Sequence, residues 1–183
     1  MSGKKYTVGR VGPLINDFLT RILKRARLRL TAEVREPEPR YTDFENPDLV
    51  VNFSGPDVGL LLENKAELLL ALEHLTHEML GMPPQDHALV VFDANDYRML
   101  RIEELRLSAL TAAEKVKATN QPFRFNPMSS RERRILHLAL RNEPGVRSES
   151  AGEGPHRGVV IYPAGMPSGA AAPPRTPSPG RRR

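Results

Sequence analysis

The chain has 183 residues, 39% of them hydrophobic and 27% charged, enough to bury a core as one domain or two small ones. It holds no cysteine, which excludes disulfides, thiolate-based zinc sites and a cysteine nucleophile, and it fits a reducing compartment. The formal charge of +5 is segregated: residues 1–96 carry 11 Lys and Arg against 15 Asp and Glu, residues 97–183 carry 16 against 7, and within 41–96 one base, Lys65, faces 11 acids.

No apolar run approaches the roughly 18 residues that a membrane span needs. The first residues, Met1 to Thr7, have no apolar stretch behind Lys4 and Lys5, so they do not read as a secretory signal. A soluble, basic, cytoplasmic protein is expected.

Residues 1–9 read as a flexible N-terminus. Leu14, Ile15, Phe18, Leu19, Ile22 and Leu23 recur at helical spacing and predict a helix from Gly12 to Leu28, with Lys24, Arg25 and Arg27 suiting its C-terminal dipole. Residues 28–36 alternate apolar and polar and predict a strand. Leu49–Phe53 reads as a second strand, followed by a turn at Ser54-Gly55-Pro56-Asp57. Val58–Leu62 is a short apolar piece, interrupted by Glu63-Asn64-Lys65-Ala66. A helix from Glu67 to Leu80 follows, with Leu68, Leu69, Ala71, Leu72, Leu75 and Met79 expected inward and Gly81 as its stop.

Ala88–Phe92 reads as a third strand, and Asp96 as the cap of a long helix, Tyr97–Thr119, whose apolar stripe is Ile102, Leu105, Ala109, Ala113 and Val116. Pro122–Asn126 is a short strand. Ser129 and Glu132 stand at capping-box spacing before a helix that runs to about Arg141. Val146–Ser150 and Gly158–Tyr162 flank a glycine-rich turn and predict a hairpin. From Pro163 on, six of 21 residues are proline, and few large apolar residues offset the cost of ordering, so a disordered tail ending in three arginines is expected.

The capped helix holds the sharpest chemistry. Arg133 and His137 lie four apart on one face, with Arg141 a turn on and Arg131 and Arg134 beside them. Guanidinium groups fork onto phosphate oxygens, and an imidazole donates to phosphate or stacks on a base. The free amides that follow Ser129 also favour an anion. Arg147 and Arg157 of the hairpin extend the surface. The residues alone leave open whether this is a phosphate-binding face or an ordinary wet helix face.

Asn126-Pro-Met-Ser-Ser-Arg-Glu-Arg-Arg-Ile-Leu-His-Leu-Ala-Leu, Pro144-Gly-Val-Arg-Ser-Glu-Ser and Gly152-Glu-Gly-Pro-His-Arg-Gly-Val-Val-Ile resemble the R-3-H domain. That family is named for an arginine and a histidine separated by three residues and binds single-stranded nucleic acid. Arg133 and His137 match the pair, and the likeness covers residues 97–162. The upstream order of helix, strand, strand, helix, helix, strand is that of the type II KH fold. A KH domain followed by an R-3-H domain resembles the bacterial Jag (KhpB) proteins.

In that family a Gly-x-x-Gly loop clamps the nucleic-acid backbone. Alignment through Gly59-Leu-Leu-Leu and Leu68-Leu-Leu-Ala-Leu puts Glu63, Asn64, Lys65 and Ala66 at the loop. Both glycines are gone, and Asp57, Glu67 and Glu73 are expected around it, so the resemblance implies a degenerate loop with its RNA grip weakened or lost. Family members usually begin with a further small N-terminal domain. Here the chain starts about ten residues before the first predicted helix, and roles tied to that domain are not carried over.

The predicted fold class is therefore α+β: a type II KH-like domain (αββααβ) at 10–96, a small R-3-H α/β domain at 97–162, and a disordered Pro/Arg-rich tail at 163–183. The expected partner is single-stranded RNA, or DNA. The expected role is bacterial post-transcriptional regulation. The alternative is an adaptor whose acidic half docks a small single-KH protein. His74 and His77 stand three apart on a helix and read as surface or satisfied histidines rather than metal ligands. No nucleophile, carboxylate pair or phosphate loop stands out, so no catalytic residue, metal, cofactor, small-molecule substrate or membrane partner is expected.

Overall fold

The computed structural model describes residues 4–38 and 44–167. The chain divides into two compact units, Met1–Leu100 and Arg101–Arg183.

The first unit opens with α1 (Val8–Arg25), which buries Val11, Ile15, Leu19 and Leu23 at i, i+4 spacing. It starts upstream of the predicted Gly12, with Pro13 inside it, and ends before Leu28. Arg27 turns left-handed at φ 56°, and the Leu28 N–H closes onto the Leu23 carbonyl at 3.0 Å. The expected flexibility of residues 1–9 does not hold from residue 4 on. Asp48 accepts the amides of Lys5 (2.9 Å) and Tyr6 (3.0 Å), the Tyr6 hydroxyl donates to Asp86 at 3.1 Å, and the Lys5 ammonium pairs with the same Asp86 carboxylate.

A three-stranded sheet runs in the order β1 (Thr31–Arg35), β2 (Leu49–Ser54), β3 (Val90–Ala94). β1 is shorter than the predicted 28–36 and pairs antiparallel with β2 from Thr31↔Ser54 to Arg35↔Val50. β2 and β3 are parallel, Leu49↔Val90 to Phe53↔Ala94. Leu49, Val51 and Phe53 alternate into the core, where the Phe53 and Phe92 rings sit 5.3 Å apart. β3 begins two residues later than predicted, because Pro84–Leu89 wind into a short 3-10 turn.

α2 (Val58–Met79) is two helical stretches broken at Glu63–Ala66, as the sequence suggested. Gly81, at φ +61°, ends it, and the Met82 N–H returns to the His77 carbonyl at 3.0 Å. Its inward face differs from expectation. Leu69 and Leu72 are buried, but Ala71 and Leu75 are exposed, and Glu73, Thr76 and His77 are buried instead. β3 is an edge strand with unpaired backbone groups along its outer side. Glu73 accepts the Phe92 N–H at 2.8 Å, and His77 Nε2 meets the Val90 carbonyl at 2.7 Å. Two polar side chains of α2 thus satisfy the strand edge that a helix-periodicity argument cannot see.

α3 (Tyr97–Thr119) has the predicted bounds and buries the predicted stripe with Ala112 added. Its first free amides are met by Asp93 rather than Asp96. Asp93 Oδ1 accepts from Arg98 N–H at 3.1 Å, while Asp96 sits at φ 55° and offers its carbonyl to Leu100 N–H at 3.0 Å.

In the second unit, the sheet order is β4 (Phe123–Arg124), β6 (Gly158–Pro163), β5 (Val146–Ala151), all antiparallel neighbours. β6 is central and buried at all six positions. The helix α4 (Ser130–Ala139) packs on β5 and β6 and buries Ile135 and Leu136. The predicted tail starts too early. Pro163 closes β6, the Ala164 N–H donates to the Gly145 carbonyl at 3.0 Å, and Arg147 donates to the Met166 carbonyl at 2.7 Å. The remainder of that tail, from residue 168, lies outside the described residues. Among the described residues no helix is long and apolar enough to cross a membrane.

Candidate nucleic-acid interface

The capping box is formed as its spacing requires. Ser129 Oγ accepts the Glu132 N–H at 3.3 Å, and Glu132 Oε2 accepts the Ser129 N–H at 3.0 Å. The other carboxylate oxygen, Oε1, takes Arg101 Nε at 2.9 Å and Nη2 at 2.6 Å. One side chain therefore starts α4 and ties it to α3. Burial pushes the Glu132 carboxyl up, but Arg101 and the Ser129 amide outweigh it and hold it below its ordinary value.

Arg133 and His137 come together through β5. Ser148 and Ser150 alternate with Glu149, so they share one face of the strand, and that face looks at α4. His137 Nδ1 lies 2.8 Å from Ser148 Oγ, and Nε2 lies 3.0 Å from Ser150 Oγ. Arg133 Nη1 donates to the same Ser150 hydroxyl at 3.3 Å, and Nη2 donates to Ser130 Oγ at 2.9 Å. Ser150 is thus the shared hinge of the pair. Arg133 Nε is buried without a hydrogen-bond partner among the described residues. Such a donor costs about 1–3 kcal/mol, of the kind that functional sites carry. Burial, and then the charge of Arg133, holds the His137 ring below its ordinary pKa. Sequence reasoning found Arg133 and His137 but assigned nothing to Ser130, Ser148 or Ser150. The signal was the Ser-x-Ser alternation on a strand.

The other predicted cations separate into groups. At about 100° per residue, Arg134 and His137 fall within a quarter-turn or so of Arg133, while Arg131 falls about 160° away. Arg134 is exposed, as is Arg141 just beyond the Leu140 cap, and neither side chain has a partner among the described residues. Arg131 is half-buried and already has a partner within the chain. Arg157 is exposed, and its carbonyl accepts the Met128 N–H at 3.1 Å, which sets it beside the start of α4.

Arg147 does not join this face. Its strand parity puts it with Glu149 on the opposite side of β5. There it pairs with Glu149, donates to the Met166 carbonyl and covers the Tyr162 ring at 4.6 Å.

At the loop aligned with Gly-x-x-Gly, Asn64, Lys65 and Ala66 all adopt left-handed conformations, with φ of 50°, 64° and 61°. The backbone keeps a shape that glycine favours without having glycine. Glu63, Asn64 and Lys65 are exposed, Ala66 is fully buried, and the Lys65 carbonyl accepts the Tyr97 hydroxyl at 3.2 Å. Of the acids expected around the loop, Glu67 is exposed directly after it, while the other two are engaged elsewhere. Glu73 is buried against β3 and Arg98, and Asp57 pairs with Arg29 at 2.7 Å while accepting its amide at 2.7 Å. His77 is committed to the Val90 carbonyl and stacks on His87 at 4.5 Å. No group of three or more His, Cys, Asp or Glu among the described residues is arranged to hold a metal.

The family model of the R-3-H domain matches residues 103–163, the region that holds α4 and the hairpin. The chain is 36% identical over 121 residues to "RNA-binding protein KhpB" of Clostridium symbiosum, covering 66% of this chain and 54% of that protein. It is 32% identical over 145 residues to the protein of that name from Lactiplantibacillus plantarum (79% and 42% covered), and 34% identical over 112 residues to that from Bacillus subtilis (60% and 54% covered). The chain thus spans about half the length of the curated relatives it matches.

Proposed function

We propose that this KhpB-like chain, with its R-3-H domain at residues 103–163, binds single-stranded RNA on the face where α4 meets β5. The observation that carries this reading is the Arg133–Ser150–His137 arrangement, with exposed Arg134 and Arg141 flanking it. An arginine fork fixed by two serines offers a phosphate a pre-set cation, and the exposed arginines follow the backbone onward. The relatives are named as RNA-binding proteins, which favours RNA over DNA. Aromatic residues make up 5% of the chain, so base stacking is a minor part of the affinity. The protein acts by binding rather than catalysis, in the bacterial cytoplasm, and serves post-transcriptional regulation.

The test is an anisotropy titration of labelled single-stranded RNA and DNA at two salt concentrations. Wild type, Arg133→Ala/His137→Ala and a chain ending at Pro167 are compared. The double variant loses about ten-fold or more in affinity, and each lost phosphate contact lowers the salt slope by about 0.7. A double variant that binds like the wild type, with loss only on truncation, would make the C-terminal segment a non-specific polycation and end this reading.

A further inference from the structure

His137 has a hydroxyl on each ring nitrogen, Ser148 at Nδ1 and Ser150 at Nε2. A neutral imidazole carries one N–H. It donates to one serine and must accept from the other, so one of the two hydroxyl protons is used up on the ring. When both ring nitrogens carry protons, both Oγ atoms accept from the ring, and Ser150 Oγ continues to accept from Arg133 Nη1. Both hydroxyl protons are then free to turn outward. Ser148 and Ser150 are each only half-buried, so an incoming oxygen can reach them.

We infer that Ser148 and Ser150 contact the bound nucleic acid directly, donating together to the non-bridging oxygens of one phosphodiester, and that they do so only above a doubly protonated His137. This rests on the reading that the α4 face binds RNA. The linkage is then a proton taken from solvent onto the ring as the phosphate arrives. No covalent bond of the nucleic acid changes.

The surroundings of the ring agree. From its own helix it faces the Arg133 cation, with Arg134 beside it. From β5 it meets only the two serines, because Arg147 and Glu149 pair with each other on the far face of the strand. The β6 residues opposite those serines, Val159 and Ile161, are apolar and buried. Glu132, the nearest acid in α4's first turn, is occupied by Arg101 and the Ser129 amide. Among the described residues no carboxylate meets the ring, so the free site resists a second positive charge, and burial resists it further. A phosphate is the missing counter-charge. Its binding raises the proton affinity of the ring, so the gain in affinity is complete below the free-state pKa and is lost as pH rises through the bound-state pKa.

The experiment uses the full chain and a short mixed-sequence single-stranded RNA. Affinity is measured at pH 6, 7 and 8, with calorimetry in two buffers of different ionisation enthalpy to count protons taken up. Wild-type affinity is expected to rise about ten-fold from pH 8 to pH 6, with uptake approaching one proton. His137→Gln should bind more weakly and flatten the profile. Ser148→Ala and Ser150→Ala should each lose more at pH 6 than at pH 8, and Ser150→Thr, which keeps the hydroxyl, should recover the loss. A flat wild-type profile, a pH dependence that survives in His137→Gln, or serine variants that bind normally would overturn the inference, while a loss in Arg133→Ala would still uphold the RNA-binding reading. If Arg133→Ala binds RNA as the wild type does, that reading falls and takes the inference with it.

Discussion

Replacing Lys65 with glycine should make the first unit more stable. Lys65 sits at φ 64° and ψ 40°, between Asn64 and Ala66 in the same left-handed region. A side chain in that region costs roughly 1–2 kcal/mol. Glycine removes the cost but gives back about 0.5–1 kcal/mol through its freer unfolded chain. The Lys65 side chain is exposed with no partner among the described residues, and the carbonyl that meets Tyr97 is kept by any residue. The net gain is therefore about 0.5–1 kcal/mol, a rise of a few degrees in Tm. The neighbours provide the contrast. Asparagine tolerates left-handed φ, so Asn64→Gly should be near neutral. Ala66→Gly gains similar relief but forfeits a fully buried methyl worth about 0.8 kcal/mol, so it too should be near neutral. Urea and thermal unfolding of the four proteins decide it. If Lys65→Gly is destabilised, or if all three variants gain alike, the loop does not hold the strain assigned to it.

Three further outcomes follow from the second unit. Glu132→Ala removes the box and leaves Arg101 paired with Glu104 alone, and should cost about 1–3 kcal/mol by urea unfolding; because the folded Glu132 pKa is depressed, its contribution is present above the unfolded carboxyl pKa and is lost as pH falls through the folded one, so the wild-type advantage over the variant should shrink in acid and an advantage constant with pH would contradict the assignment. Arg133→Ala and Arg147→Ala should separate cleanly: the first weakens RNA binding in an anisotropy titration, while the second lowers stability by about 1 kcal/mol through its contacts to Tyr162, Glu149 and the Met166 carbonyl with RNA affinity largely kept. Gly152→Ala should destabilise the hairpin by about 2 kcal/mol or more, since Gly152 is at φ +92° and a Cβ there would lie 2.6 Å from the His156 carbonyl oxygen; near-wild-type circular dichroism melting would refute it.

Local chemistry was legible and distant pairing was not. The bounds of α3 and the Ser129/Glu132 box could be read because helical periodicity and cap spacing are written over a few consecutive residues. Arg133 and His137 were found for the same reason. Ser148 and Ser150 lie 11 and 13 positions from His137, and their role depends on which face of β5 turns to α4. That same parity excludes Arg147, and the predicted hairpin already contained it. Glu73 is expected among the acids around the loop, and His77 reads as a surface or satisfied histidine, because the groups they meet belong to β3, 19 and 13 positions away. The tail boundary was missed because proline content describes a composition, whereas Pro163 is held by pairing with Val146 across the hairpin.

The return of residues 163–166 across the hairpin fixes where the chain can be cut or labelled. Ending it at Tyr162 would delete the Pro163 partner of Val146, the amide that meets Gly145 and the carbonyl that holds Arg147. Such a shortened protein would confuse a damaged fold with a missing polycation. A cleavage site, fluorophore or affinity handle placed after Pro167 leaves all three contacts in place.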